Sequence, residues 1–460
     1  MEASENGRAF RADECRSIAD AISQHVVHFR YEALSDNALK AAKRLMLDTF
    51  AVAWAGTNAP GCKEVLDVML AQGGTAEATV WAHRRRLPCA AAAFVNALAA
   101  AALDYDSVNT VHADIVVLPV ALALGERHHL DGREVVSAFV IGNDLTCRLG
   151  AAMTGQHKGW FNTSIYGVFG AAATAARLLR LNVAQTRNAL GIALSQAAGT
   201  QQANVEQALT KRLQSAFAVQ AGIMSALLAQ KGITGPRYVF EGNFGLYRLY
   251  QDGQPERILA ELGQRFYHEN TNLKKYPVCA CSHAAIEALM SLAREYDLHP
   301  DDVTRVDATI SPLMHRLVGA PFEPRDNPQV TAQFSLQYGL ACVLLRQRLG
   351  IDEIQDESVL HPDIQPLVNR IHIHVDPESK GSRTPAIVSV QTKSLGLLKR
   401  RIDHFPWSDE SSLPDSEFQA KITNCFSAGA KPLDSSAQDR WIQSITRIEK
   451  VPDVAKLWES

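Results

Sequence analysis

Residues 89–127, CAAAAFVNALAAAALDYDSVNTVHADIVVLPVALALGER, set the architecture of this chain. The segment begins with an alanine-rich run and ends with an apolar run, and each run is long enough for a helix that is apolar on most of its sides. Helices of that kind lie in the middle of large helical assemblies. The polar residues between the two runs must then be hydrogen-bonded to one another or to a ligand, because a buried polar group without a partner is costly.

The composition describes a globular chain without a nucleic-acid or membrane partner. The chain has 460 residues and a net charge of −3, and a chain of this length buries about three quarters of its surface on folding. The near-neutral charge gives no electrostatic footprint for nucleic acid. The most apolar segment, 86–104, is interrupted by Pro88 and Asn96, whereas a membrane span needs about 20 predominantly apolar residues.

The first residues and the cysteines favour a cytoplasmic location. The chain begins MEASE, which is acidic and polar and therefore unlike a secretory signal. The eight cysteines occur in apolar segments without CxxC pairs, at Cys15, Cys62, Cys89, Cys147, Cys279, Cys281, Cys342 and Cys425. This pattern predicts buried free thiols in a reducing compartment.

Helical spacing of apolar residues dominates the first 260 or so residues. Many of these segments are rich in Ala and Gly, which lets helices approach closely. The predicted helices are 39–54, 89–103, 115–127, 133–153, 163–179, 184–198 and 211–231. Ser35 or Asp36 is the predicted cap of the first of these, and Gly56 its end.

The pattern changes near residue 270, where alternating segments appear. Period-two alternation predicts strands at 306–311, 370–375, 386–391 and 398–402, the last pairing back across a turn at 393–396. Helical spacing accompanies them at 283–297 and 334–348 and returns at 415–427 and 438–448. The predicted fold is therefore mainly α: a large all-α domain (1–268 and 404–460) with a smaller α+β lid domain (269–403) inserted.

The common cofactor and metal motifs are absent from the sequence. It contains no GxGxxG, Walker loop, HExxH or GxSxG. Cys279 and Cys281 with His283 lack the spacing of a structural zinc site, so no metal site is predicted there. His372 and His374 would share one face of a strand, where surface histidines are commoner than a pair of metal ligands.

Four polar stretches carry the candidate chemistry, and each has a structural alternative. They are LDYDSVNTVH (103–112), TKRL (210–213), NLKKYPVCACSH (272–283) and QFSLQYG (333–339). The first can be a capped interhelical loop, the second a solvated first turn, and Tyr338 in the fourth a packing residue. The third lies where the predicted domains meet, a common place for a ligand cleft.

Together these stretches resemble the MmgE/PrpD family over nearly the whole chain. The resemblance includes LDT (47–49), AFVN (93–96), ALDYD with the following His and VLP, GVFGAA (167–172), TKRL, LKKYPVC with SHAAIEA, and FSLQY (334–338). Members of this family are similar in having a large helical domain, an α+β lid, a homodimeric state and no cofactor. The resemblance therefore implies the same for this chain.

The resemblance also implies which residues form the site. The family's acid falls on Asp104, the neighbouring hydroxyl position on Ser107 and the histidine before the VLP helix on His112. The remaining positions fall on the lysines of the TK and KxYP motifs and on the tyrosine of the late helix, which are Lys211, Lys274 and Tyr338.

This chain departs from the family pattern at three places. Phe161 stands where the family commonly has a histidine in a GFHPT or GWHPT stretch, and Cys279 stands where a decarboxylase-type histidine follows the KxYP lysine. The stretch from Asp104 to His112 is also shorter than expected. These changes weaken a cis-aconitate decarboxylase assignment in particular.

The implied substrate is a small di- or tricarboxylic acid that loses or exchanges a proton next to a carboxylate. Lys211 and Lys274 would hold carboxylates, His112 would be the base, Asp104 would orient its imidazole, and Tyr338 would be the acid. The leading hypothesis is a cofactor-independent hydro-lyase of the 2-methylcitrate dehydratase type. The alternatives are an isomerase or epimerase acting on an iminodisuccinate-like diacid, a cis-aconitate-type decarboxylase, and a remote one, an inactive helical scaffold that binds a partner.

Overall fold

The structure is a computed structural model that describes residues 17–155, 157–408 and 413–458. The chain is 57% helical and 9% strand, which confirms the mainly α class. Within the described residues, none of the helices combines the length and hydropathy that crossing a bilayer would require. Cys15 and the MEASE sequence, on which part of the location prediction rests, lie outside the described residues.

Nineteen α-helices lie in the described parts of the chain. In chain order, α1 to α10 are Ile18–His28, Asp36–Gly56, Cys62–Gln72, Cys89–Ala102, Asp114–Arg127, Gly132–Ala151, Asn162–Leu178, Val183–Leu194, Gln202–Val205 and Thr210–Gln230. Helices α11 to α19 are Leu246–Leu249, His283–Tyr296, Pro312–Val318, Pro328–Gln333, Leu336–Arg346, Asp356–Val359, Ile364–Val368, Asp415–Ala428 and Ser435–Thr446. The sequence analysis missed α1 and α3 and the short helices α9, α11, α13, α14, α16 and α17, and the predicted helix at 184–198 ends at Leu194.

The helical core is built on close approaches between small residues. Helix α7 packs against α6 and α10, and α10 packs against α4. Where α6 and α7 cross, a Cβ added at Gly170 would lie 1.9 Å from Thr146 Oγ1 and 2.8 Å from the carbonyl oxygen of Gly142. A larger residue at Gly170 would therefore force these two helices apart, as the Ala- and Gly-rich sequence indicated.

The four predicted strands form one sheet. Strands β3 to β6 are Val303–Ile310, Ile371–Val375, Ala386–Thr392 and Leu397–Ile402, in the spatial order β4-β3-β5-β6. Strand β3 runs parallel to β4 and antiparallel to β5, and β5 pairs with β6 across the predicted turn. Helix α12 packs on β5 and β6. The domain boundaries around this sheet stay a prediction.

A small hairpin interrupts the first helical part of the chain and was not predicted. Strands β1 (Ala78–Val80) and β2 (Arg85–Leu87) pair antiparallel, joined by a turn in which Ala82 and Arg84 have positive φ angles. Three-residue strands, one of them beginning with two arginines, show no alternation long enough to be recognised.

The last helices return to the first ones. Helices α18 and α19 both pack against α2. Lys421 of α18 lies 2.6 Å from the carboxylate of Asp48 in α2, and both side chains are fully buried. The cysteines in the described residues are free, and all but the half-buried Cys279 are buried, which confirms the prediction for them.

Candidate active site

The polar stretch 103–112 links the end of α4 to the start of α5 and is tied to the segment that carries Lys274. Asp104 follows α4 directly and has a φ of 49°, a left-handed conformation that Asp tolerates better than most residues. Val108 and Asn272 exchange two backbone hydrogen bonds of 2.8 and 3.0 Å. These bonds bring residues that are distant in sequence to one place.

Asp104 is bound by both predicted lysines. Lys211, in the first turn of α10, donates from its Nζ to Asp104 Oδ1. Lys274 donates to Asp104 Oδ2 at 2.8 Å and to the carbonyl oxygen of the same residue at 2.6 Å. The two cations that the sequence placed in separate motifs therefore meet on one carboxylate.

The imidazole of His112 meets a different carboxylate. His112 Nδ1 lies 2.7 Å from Asp106 Oδ2, and Lys274 Nζ lies 4.0 Å from Asp106 Oδ1. The expectation that Asp104 orients the imidazole is thus corrected. The positive φ of Asp104 turns its side chain to the lysines, and Asp106, two residues further on, reaches the ring.

Neighbouring cationic groups keep both carboxylates ionised despite their burial. Burial alone would raise the pKa of Asp104, but Lys211 and Lys274 outweigh it and hold the pKa well below its usual value. For Asp106 the effect of burial is likewise outweighed, by His112 and Lys274, so that its pKa is also lowered. Burial would lower the pKa of Lys274, yet Asp104 and Asp106 raise it, which keeps the amine charged.

Exposure distinguishes the groups that a small molecule can reach. The side chain of His112 is 22% exposed and that of Lys211 is 11% exposed, whereas Lys274 is fully buried. The ammonium group of Lys211 also lies 4.7 Å from the centre of the Phe334 ring. A ligand can therefore touch His112 and Lys211 directly, while Lys274 acts through Asp104.

Ser107 belongs to a second, neutral network just behind this cluster. Its hydroxyl donates to Asp114 Oδ2, and Asn143 Nδ2 donates to Asp114 Oδ1. Burial and the nearby carboxylate of Asp48 raise the pKa of Asp114 well above its usual value. Ser107 thus holds a buried acid in place in this structure.

Tyr338 makes its contacts with residues outside the Asp104 cluster. It is fully buried on α15, its hydroxyl donates to the carbonyl oxygen of Glu353, and its ring lies 5.3 Å from that of Phe322. None of these partners belongs to the Asp104 cluster. Burial raises the pKa of the phenol, so the hydroxyl stays protonated.

The two positions that depart from the family pattern lie beside the cluster. Phe161 precedes α7, and two residues later Thr163 Oγ1 accepts a hydrogen bond of 3.2 Å from the backbone of His112. A hydrogen bond from Cys281 lowers the pKa of Cys279 against the effect of burial, and Lys274 contributes in the same direction.

His283 and Cys281 have partners other than a metal. Cys281 Sγ lies 3.1 Å from the carbonyl oxygen of Ser382, and His283 Nε2 donates to the carbonyl oxygen of Val278 at 3.3 Å. Burial and the positive charge of Lys274 lower the pKa of His283 to about 3, so its ring is neutral. In the part of the chain that the structure describes, no group of three or more His, Cys, Asp and Glu side chains is placed to hold a metal ion.

Sequence reasoning missed two members of the site, Asp106 and Phe334. Asp106 was visible as the second acid of LDYDS, and a stretch of alternating acids next to a histidine is a usable signal. Phe334 stands in a motif that had been noted, but nothing in its spacing indicates that its ring would lie against Lys211.

Comparison with known proteins matches both halves of the chain to one family. The MmgE/PrpD N-terminal domain matches residues 20–258, and the MmgE/PrpD C-terminal domain matches residues 276–448. The chain is 26% identical over 470 residues to a cis-aconitate decarboxylase-like protein, oryM, of Aspergillus oryzae, with 96% of each chain covered. It is 25% identical over 462 residues to the cis-aconitate decarboxylase of Homo sapiens, covering 96% of this chain and 94% of that one. The cis-aconitate decarboxylase of Aspergillus terreus is also 25% identical, over 76% of this chain and 77% of its own.

Proposed function

The chain belongs to the MmgE/PrpD family, and from that premise we propose that it removes a proton next to a carboxylate of a small di- or tricarboxylic acid. The family and the relatives point to an enzyme of the lyase kind. We propose a dehydratase reaction of the 2-methylcitrate dehydratase type as its finer function. The observation that carries the proposal is the contact between His112 and Asp106.

Asp106 gives His112 the form that a base requires. Because the pKa of Asp106 is lowered, its carboxylate is ionised and accepts the proton on Nδ1. The other ring nitrogen, Nε2, then carries the free lone pair of the neutral imidazole. As the ring is partly exposed, Nε2 can take a proton from a bound substrate. Positioned acid–base catalysis of this kind typically contributes about 10²–10⁴-fold in rate.

The lysines supply the positive charge that the substrate needs. Two carboxylates and two ammonium groups balance within the cluster, so a proton on His112 would leave it with one net positive charge. Lys211 is the more accessible of the two cations and would bind a substrate carboxylate, a charge-assisted contact worth about 1.5–3 kcal/mol. The same cation stabilises the charge that develops as the proton leaves.

Dehydration also needs an acid for the departing hydroxyl, and Tyr338 remains our predicted donor. Burial raises the pKa of its phenol, so the hydroxyl carries the proton that it would donate, although the same shift makes it a weaker acid. In the structure the Tyr338 hydroxyl donates a hydrogen bond to the carbonyl oxygen of Glu353. The role as acid therefore requires the hydroxyl to leave this carbonyl oxygen and to bind the substrate instead. A lid closing over the site, at the boundaries predicted from the sequence, would allow such an exchange.

Decarboxylation is a second candidate, and the relatives favour it. All three relatives described above are named for cis-aconitate decarboxylase or likeness to it. Against it stand Phe161 and Cys279, at positions where the family resemblance led us to expect histidines. Epimerisation of an iminodisuccinate-like diacid uses the same base and remains a further alternative.

Proton NMR in heavy water separates these reactions. The protein is incubated with citrate, 2-methylcitrate, cis-aconitate and iminodisuccinate, and each is followed over time. An alkene formed without carbon dioxide supports the dehydratase; it appears as a vinyl proton from citrate and as a methyl signal on a double bond from 2-methylcitrate. Release of carbon dioxide instead supports the decarboxylase. Deuterium entering Cα without an alkene indicates the epimerase.

A variant pair tests the base itself. His112→Gln should lower turnover by about 10²–10⁴-fold, whereas His299→Gln, at an exposed histidine, should leave it unchanged. Turnover by His112→Gln at a rate close to the parental one would refute the proposed role.

We also propose a homodimer, on the ground of the family resemblance, and a cytoplasmic location, on the ground of the free and mostly buried cysteines.

A further inference from the structure

A cavity of about 420 Å³ lies at a part of the helical region that the proposed reaction does not use. It is bordered by the β1–β2 turn, the end of α2, helix α19 and the last described residues of the chain. None of the residues of the Asp104 cluster lines it. Its volume falls within the range of small-molecule sites, about 300–1,000 Å³.

Three tryptophan rings line this cavity, and other residues of the protein fix their positions. Trp54, Trp441 and Trp458 line it. The rings of Trp441 and Trp458 lie 5.1 Å apart, and the buried Phe50 lies 4.8 Å from Trp441. Trp54 Nε1 donates a hydrogen bond of 2.9 Å to the carbonyl oxygen of Lys431. The wall is therefore preformed, and aromatic rings of this kind stack well on a flat ligand ring.

The lining of the cavity is also positively charged. The cations that line it are Arg84, Arg86, Lys431 and Arg440, and among the described lining residues none is acidic. Arg86 is paired with Glu126 at 2.9 Å. Lys431 and Arg440 instead donate to neutral groups, the carbonyl oxygen of His83 and the hydroxyl of Ser436. The charges of Lys431 and Arg440 thus remain available to an anion.

We propose that this cavity binds an anionic ligand with a flat aromatic ring, of the chemistry of a nucleoside phosphate. The ring would lie against the tryptophans, and the phosphates would meet Arg440, Lys431 and Arg84, because guanidinium and ammonium groups are good phosphate partners. A small aliphatic tricarboxylic acid has no ring that could stack on the tryptophans. The site is thus distinct from the proposed substrate site in both position and ligand class.

Calorimetric titration of the full chain with ADP tests this inference. We expect one ADP per chain with a Kd below about 1 mM. Adenosine, which has only the ring, and pyrophosphate, which has only the charge, should each bind at least about tenfold more weakly. Pyrophosphate binding as tightly as ADP would overturn the role of the tryptophan wall, and no binding of ADP would overturn the site.

Charge-removing variants locate the binding. Lys431→Gln with Arg440→Gln should weaken ADP binding by at least about tenfold. The matched control removes two exposed cations elsewhere, with Lys63→Gln and Arg325→Gln, and should leave the affinity unchanged. The circular dichroism spectrum shows whether each variant is folded. Unchanged ADP affinity in a folded Lys431→Gln/Arg440→Gln variant would overturn the inference.

Discussion

Two sets of buried carboxylates lie within eleven residues of each other, and their partners give them opposite properties. Asp104 and Asp106 face lysines and an imidazole, and their pKa values are lowered. Asp114 faces a serine hydroxyl and an asparagine amide, and its pKa is raised well above the usual value. All three are buried. Burial alone therefore does not decide the charge of an acid; the charge of its partners does.

The lysine-bound carboxylates therefore carry charge in the site, whereas the Asp114 network contributes to the stability of the fold next to it. The lysine-bound set presents two ionised carboxylates near the exposed edge of His112. The Asp114 network closes the space between α5 and α6 with groups that carry no charge when the acid is protonated. Three predictions test this separation, in order of the size of the expected effect.

Removing the buried cation should have the largest effect. Lys274→Met leaves Asp104 without one of its two lysines in a fully buried place, and breaking a buried ion pair in this way typically costs about 3–5 kcal/mol. The free energy of unfolding from urea titrations measures the loss. Lys275→Met is the matched control, because its amine pairs with the partly exposed Glu287 and should cost no more than about 1 kcal/mol. Equal losses in the two variants would contradict the account.

The two acids should differ sharply in their effect on turnover. Asp106→Asn removes the acceptor of the imidazole proton and should lower kcat by about 10²-fold. Asp114→Asn keeps a neutral side chain where a protonated acid already stands, and the Ser107 hydroxyl can donate or accept, so kcat should stay within about threefold of the parental value. A larger loss of kcat in Asp114→Asn than in Asp106→Asn would show that turnover depends on Asp114 and not on Asp106, and would contradict the proposed roles.

The smallest effect is a difference in how stability depends on pH. The lowered pKa of Asp106 contributes stability above the pKa of the unfolded chain, about 3.9, and this contribution is lost as pH falls below it. The raised pKa of Asp114 contributes in the opposite sense: its stability is full below about pH 3.9 and is lost as pH rises towards the folded pKa.

Urea titrations at several pH values show this difference. Relative to the parental protein, Asp114→Asn should gain stability as pH rises from about 4, by up to about 1.4 kcal/mol per pH unit. The deficit of Asp106→Asn should shrink as pH falls towards about 3. Parallel pH curves for all three proteins would show that the two acids do not differ.

The sequence was sufficient for most helices and for the residue types of the site. Helices in the core were recognisable as long apolar runs because they are buried on most sides, and the sheet strands follow period two because only one face is covered. Helix α3 was missed because only Cys62, Leu66 and Met69 of its residues are buried.

The contacts between side chains within the site could not be predicted from the sequence. The contact between the His112 imidazole and Asp106 depends on the left-handed backbone conformation of Asp104. That conformation could not be predicted from the residue types in this stretch. The partner of Tyr338 is a backbone carbonyl on another segment, and any residue at 353 would supply one. Side-chain identity can be read from a sequence, whereas these contacts follow from how the segments pack.

The most direct test of the account is the protonation of the two ring nitrogens of His112. Nitrogen-15 NMR of histidine-labelled protein reports which nitrogen carries the proton, and the His112→Gln variant assigns the signal among the 15 histidines. The account predicts that the neutral ring is protonated at Nδ1 and free at Nε2, that Asp106→Asn abolishes this preference, and that Asp114→Asn preserves it. A proton on Nε2 in the parental protein, or a spectrum that Asp106→Asn leaves unchanged, would contradict it.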